Sequence, residues 1–130
     1  MASTGQYEFF GHASRGAELQ DESSLLARQA MSLIESNLCN PPTLQALADV
    51  LYVSRTRLCV TFKREVGCSV GEYLHAARLK RAKALLEETN DAISEIAAAV
   101  GYTRQSSFAE RFKEDTGVTP TEWRRGVRAR

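Results

Sequence analysis

Apolar residues recur along most of this chain three or four apart, the period of a helix, and nowhere alternate as a strand requires. Leu26, Ala30, Leu33, Ile34 and Leu38 form the stripe of a first helix, predicted from near Ser23 to about Leu38. Asn40-Pro41-Pro42 stops it, because proline lacks the N–H and crowds the residue before it. Thr43 is placed to cap a short helix ending near Leu51. Tyr52-Val53 makes a turn, and Ser54 caps a longer helix, predicted over residues 54–65 and closed by Gly67. Ser69 and Glu72 have capping-box spacing and open a long helix to about Glu88. Leu74, Ala77, Arg78, Ala82, Leu85 and Leu86 share one broad face of it.

Asp91 is the expected cap of the next helix, whose buried positions are Ile96, Ala97 and Val100. Gly101 stands where the chain must leave that helix with positive φ. Thr103 is the expected cap of a sixth helix, predicted over residues 104–115, with Phe108 and Phe112 on its core side. Thr119-Pro120-Thr121-Glu122 is a second capping box with proline at the first helical position. It opens a last helix holding Trp123, after which Arg124, Arg125, Arg128 and Arg130 are expected to fray. The prediction is an all-α chain of seven helices.

The chain repeats itself. Leu47, Ala48 and Leu51 match Ile96, Ala97 and Val100, and Leu58, Phe62, Lys63 and Gly67 match Phe108, Phe112, Lys113 and Gly117. Ser69, Glu72 and Tyr73 then match Thr119, Glu122 and Trp123. Two short helices, a tight turn and a capped third helix make a helix-turn-helix, whose second helix enters the major groove of DNA. Two copies predict this division: residues 1–22 a disordered tail or linker, 23–68 a first helix-turn-helix subdomain, 69–88 a linker helix, and 89–130 a second subdomain. If the linker helix spaces the copies by one helical turn of DNA, a monomer reads two successive groove segments, roughly 34 Å apart.

Composition narrows the function classes. The chain has 130 residues, enough for one domain or two very small ones sharing a helix. The net charge of +1 is unpromising for a nucleic-acid binder, but its distribution is more telling. Residues 1–42 carry two basic and five acidic side chains, and residues 43–130 carry 15 basic and 11 acidic. Cys39, Cys59 and Cys68 are odd in number and match no zinc spacing with His12 and His75, so reduced thiols in a cytoplasm and no metal are expected. No stretch approaches about 18 apolar residues, so no membrane span is expected. Nothing pairs a nucleophile with a base, and no cofactor motif appears, which argues against an enzyme. The competing reading is a protein-interaction module that kept the fold and lost DNA binding.

A string of motifs completes the pattern: Arg78-Leu79-x-x-Ala82, Ile96-Ala97-x-x-Val100-Gly101-Tyr102, Phe108-x-x-x-Phe112-Lys113, Gly117-x-Thr119-Pro120 and Trp123-Arg124. It resembles the signature of the AraC/XylS family of transcription regulators over about residues 24–125. The resemblance implies a homeodomain-like pair of helix-turn-helix units joined by a long helix. It also implies sequence-specific binding to double-stranded DNA near promoters, with activation through RNA polymerase. Many relatives carry an N-terminal sensing and dimerising domain, and residues 1–22 fit an excised linker as well as a true start.

The candidate readers are the non-core positions of the two recognition helices. In the first unit they are Arg55, Thr56, Arg57, Cys59, Val60 and Lys63; in the second, Arg104, Gln105, Ser106, Glu110, Arg111 and Lys113. Gln105 suits adenine, Arg57 or Arg111 suits guanine, and Lys63, Lys113 and Arg81 suit phosphates. Arg78, by contrast, is expected to be structural, and His75 to be ordinary surface or boundary. The resemblance implies arginine at the positions held here by Val60 and Glu110. Valine can meet only a thymine methyl, and glutamate can accept from cytosine N4. Glu110→Arg is therefore expected to change the preferred bases; selection from random DNA returning one motif for both proteins would exclude a groove-facing Glu110.

Overall fold

The computed structural model describes residues 15–130, with side chains described from residue 22. Seven helices follow one another: α1 Arg15–Glu35, α2 Leu44–Val50, α3 Arg55–Val66, α4 Val70–Glu88, α5 Ile93–Ala99, α6 Gln105–Thr116 and α7 Pro120–Arg128. No strand occurs among the described residues.

The expected tail over 1–22 is corrected over its last eight residues. Residues 1–14 lie outside the described residues, while 15–22 form the opening turns of α1. The run Ala17 to Glu22 is rich in strong helix formers, so propensity carries the helix where no apolar stripe announces it. At its other end α1 stops at Glu35, short of the expected Leu38.

One compact unit takes in the described residues through Ser36 together with Pro42–Tyr73. Its core is the stripe Leu26, Ala27, Ala30 and Ile34 of α1 with Leu47 and Ala48 of α2 and Leu58 and Phe62 of α3. Thr43 Oγ1 accepts from Ala46 N at 3.0 Å and Ser54 Oγ accepts from Arg57 N at 3.0 Å, so both expected caps form. Between α2 and α3, Tyr52 takes φ +58. A non-glycine residue in the left-handed region is strained by about 1 kcal/mol. Its aromatic ring is 94% exposed, so no packing of that side chain offsets the strain. Ser69 and Glu72 form the expected reciprocal box at 2.8 and 3.1 Å. Tyr73, on the first turn of α4, sets its ring edge-on to Phe62 at 5.6 Å and bonds Glu35.

The second unit takes in Asn37–Pro41 and Leu74–Arg130. Ala82 and Leu86 of α4 meet Ile96, Ala97 and Val100 and, from α6, Phe108 and Phe112 in one buried cluster. The body of α4 thus belongs to this core. Trp123 of α7 closes it, edge-on to Phe112 at 5.8 Å, as Tyr73 does for Phe62. Lys83 lies over the Trp123 ring at 4.9 Å, and the indole N–H donates to Glu87.

Arg78 is structural, as the sequence suggests. Its Nε and Nη2 donate to the Leu38 carbonyl at 3.1 and 2.8 Å, and its guanidinium lies over Tyr102. Gly101 (φ +95) sits against this clamp, and a Cβ there would lie 2.4 Å from Leu38 O and 2.6 Å from Arg78 Nη2. Cys39 Sγ donates to Ala99 O, closing the end of α5.

Three terminal features differ from expectation. Asp91 does not cap α5; Ala92 is the N-cap, and since alanine has no acceptor, the work falls to Glu95, whose carboxylate accepts from Ala92 N at 2.8 Å. Thr103 does not cap α6; the turn after Gly101 is one residue longer, and Arg104 takes the position without a side-chain bond. Arg124 and Arg128 are not frayed. Arg124 donates to Leu86 O at 3.0 Å and Thr89 O at 3.2 Å, and Arg128 to Thr89 O, covering carbonyls that the end of α4 leaves open. Thr119 and Glu122 do form their box.

Gly101→Ala combines a forbidden φ with a clash against backbone and guanidinium. It is expected to destabilise by roughly 2–4 kcal/mol, well beyond the usual glycine-to-alanine cost at a left-handed position. Gly117→Ala meets nothing within 4 Å and has a similar φ of +87. Thermal denaturation should show the larger loss at Gly101, and equal losses would refute the clash.

Candidate nucleic-acid interface

The reading surface follows from what is buried. In α3 the core takes Leu58, Thr61 and Phe62. Their burial fixes the rotation of the helix, and Arg55, Thr56, Arg57, Cys59, Val60 and Lys63 are all exposed. Val60 lies between Leu58 and Phe62 in sequence, hence on the far side, and is 56% exposed. In α6 the core takes Phe108 and Phe112, and Gln105, Ser106, Glu110, Arg111 and Lys113 are exposed, with Arg104 exposed at the cap. Glu110 holds the position equivalent to Val60.

The two helices differ in how they begin and in charge. Ser54 accepts from the Arg57 N–H in the first turn of α3, whereas the N-cap of α6 makes no side-chain bond. From Arg55 to Val66, α3 carries four basic residues and one acidic; from Gln105 to Thr116, α6 carries two basic and three acidic.

Carboxylates tie both helices back to their own units. Glu65 accepts from Ser24 of α1 at 2.9 Å, and Arg64, which pairs with Glu65, reaches Ser23. In the second unit Asp115 Oδ2 lies 2.6 Å from His75 Nε2 of α4 and 3.4 Å from Arg111 Nε. Burial works to raise the Asp115 carboxyl, but the His75 hydrogen bond, the His75 charge and Arg111 outweigh it and hold it below the usual aspartate range. His75, expected as ordinary surface, is thus half-buried and partnered. Nothing in the sequence spacing reveals a pair forty residues apart. Arg111 is directed along its own helix toward Asp115, which makes it a flanking cation rather than a member of the outermost ridge.

Among the described residues no group of three or more histidine, cysteine, aspartate or glutamate side chains could hold a metal, and no helix is long and apolar enough to cross a membrane. Cys39, Cys59 and Cys68 are unpaired.

The helix-turn-helix domain family matches residues 47–126. A transcriptional regulator with an AraC-type DNA-binding domain from Chromobacterium violaceum superposes with a TM-score of 0.75 at 30% identity, over 82% of this chain and 96% of that one. The C-terminal domain of AraT, a response regulator from Geobacillus stearothermophilus, superposes with a TM-score of 0.72 at 35% identity, over 78% of this chain and 84% of that one. The bifunctional transcriptional activator/DNA repair enzyme AdaA of Bacillus subtilis is 37% identical over 91 residues, 70% of this chain and 43% of its own length. The chain belongs to the AraC-type family of helix-turn-helix DNA-binding domains. It spans less than half the length of the curated relatives it matches.

Asp115→Ala removes the partner of His75 and is expected to cost about 1 kcal/mol, or roughly 4 °C in the thermal midpoint. Because the folded carboxyl titrates below its unfolded value, that contribution is complete above the ordinary aspartate range and is lost as pH falls through the depressed folded value. The gap between wild type and variant should therefore close in acid; a gap that persists at low pH would show that the carboxylate charge is not what matters.

Proposed function

We propose that this chain is a sequence-specific DNA-binding transcription regulator whose two recognition helices, α3 and α6, read successive major-groove segments of one duplex. One observation carries the reading. In each of two repeated units an aromatic core holds one side of the second helix, and the opposite side presents an exposed set of polar and charged residues. Membership of the AraC-type family supports it. In this reading Arg55, Thr56, Arg57, Cys59, Val60 and Lys63 face DNA from the first unit. Arg104, Gln105, Ser106, Glu110, Arg111 and Lys113 do so from the second. Arg57 and Gln105 are best suited to base edges, and Lys63 and Lys113 to phosphates.

The finer parts of the proposal are activation through RNA polymerase, work in the cytoplasm, a monomeric DNA-binding region, and dimerisation through a further N-terminal domain. The AdaA relative is itself described as a transcriptional activator, which supports the first of these. In this reading the chemistry of the site is binding.

The test is retention on duplex DNA across a salt series. A protein with about six phosphate contacts loses roughly a thousandfold in affinity between 50 and 200 mM salt. Steep loss of that kind, together with a non-palindromic motif from random-sequence selection, is the expected result. Salt-insensitive or absent retention by the folded chain would instead favour the protein-interaction reading.

A further inference from the structure

The recognition helices are built on one plan and carry opposite electrostatics on their outermost ridges. Positions fifty apart are equivalent, and Lys63 and Lys113 agree. The ridge differs at three other places: Arg57 is matched by Ser107, Val60 by Glu110, and Arg64, which leans toward Glu65 and Ser23, by Glu114. All six side chains are exposed. Glu110 lies two residues from each of Phe108 and Phe112, so burial of that pair places it opposite the core. Glu114 follows one turn later on the same ridge. The flanking cations of α6 do not reverse this. Arg111 is drawn toward Asp115, and Arg104 stands ahead of the first turn.

Phosphate attraction supplies essentially all non-specific affinity. A helix that carries net negative charge on its ridge adds less to that attraction, here through Lys113 alone, and opposes it wherever its carboxylates find no donor. A carboxylate has one favourable encounter in the major groove, the cytosine amino group. Repulsion of wrong sites raises specificity as effectively as attraction to the right one.

We propose that the two units divide the work: α3 supplies the phosphate affinity of the complex, and the Glu110–Glu114 ridge of α6 selects, by repelling duplexes that offer it no base donor. This rests on the DNA-binding reading above. The protein then binds random DNA through the first unit and engages both only on a site whose second half suits the carboxylates.

The experiment uses the whole chain and two duplexes, one recovered by selection with the unaltered protein and one of scrambled sequence. Fluorescence anisotropy is read over a salt series. Glu110→Gln with Glu114→Gln should tighten binding to the scrambled duplex by about tenfold, since a repelling charge within a few ångströms of phosphate costs several-fold even in water. The same variant should change the selected duplex by less than about twofold or weaken it, so the specificity ratio falls. Arg55→Ala with Lys63→Ala, both exposed on α3, should weaken both duplexes by a similar factor and lower the log–log salt slope by about 1.8, two contacts' worth. Circular dichroism checks that each variant is folded, which these exposed positions favour. The division of labour is overturned if the double glutamine variant leaves both duplexes unchanged or tightens both equally. It is also overturned if loss of Arg55 and Lys63 leaves the slope intact. If the unaltered chain binds no duplex in a salt-dependent way, the DNA-binding reading itself falls, which is a separate result from either of these.

Discussion

The rotation of the two recognition helices about their own axes is set by buried phenylalanines, and the interface depends on that setting. Phe62 and Phe112 are essentially inaccessible, and each is met edge-on by an aromatic ring from the following helix, Tyr73 in one unit and Trp123 in the other. Edge-to-face packing constrains direction as well as distance. A recognition helix turned by one residue position would carry Val60 or Glu110 toward the side and bring core residues out. The capping boxes at Ser69 and Thr119 act on the same point from behind, because they fix where the helices bearing the two lids begin.

Around that repeated frame the units have diverged where the frame allows it. The turn ahead of the recognition helix is a glycine in the second unit and a strained tyrosine in the first. The glycine is compulsory, because Arg78 and the Leu38 carbonyl occupy the space a side chain would need. The tyrosine position is open, so it tolerates a residue at some conformational cost. On the exposed ridges, where packing places no demand, arginines in one copy correspond to serine and glutamate in the other.

Helix number, order and core positions were legible in the sequence because they rest on local periodicity and on strong stop signals such as Asn40-Pro41-Pro42. Caps were legible where serine or threonine supplies the acceptor itself. They were missed at Ala92 and Arg104, where the bond comes from a residue inside the helix or from none. The start of α1 was missed because its first turns announce themselves by propensity and not by an apolar stripe. At the candidate interface, the exposure of all twelve singled-out residues follows from the core pattern. The His75–Asp115 pair does not, and neither does Arg124 on the carbonyls of α4, since each joins residues about forty apart through polar atoms that carry no period.

The arginines of α7 bear on how this protein can be trimmed. Arg124 and Arg128 complete the carboxyl end of α4, a helix whose own core residues, Ala82 and Leu86, sit at the centre of the second unit. A shortened fragment that stops just after Trp123 would keep every aromatic residue and still leave the Leu86 and Thr89 carbonyls bare. Keeping those carbonyls covered therefore requires the chain through Arg128, five residues past the last aromatic side chain.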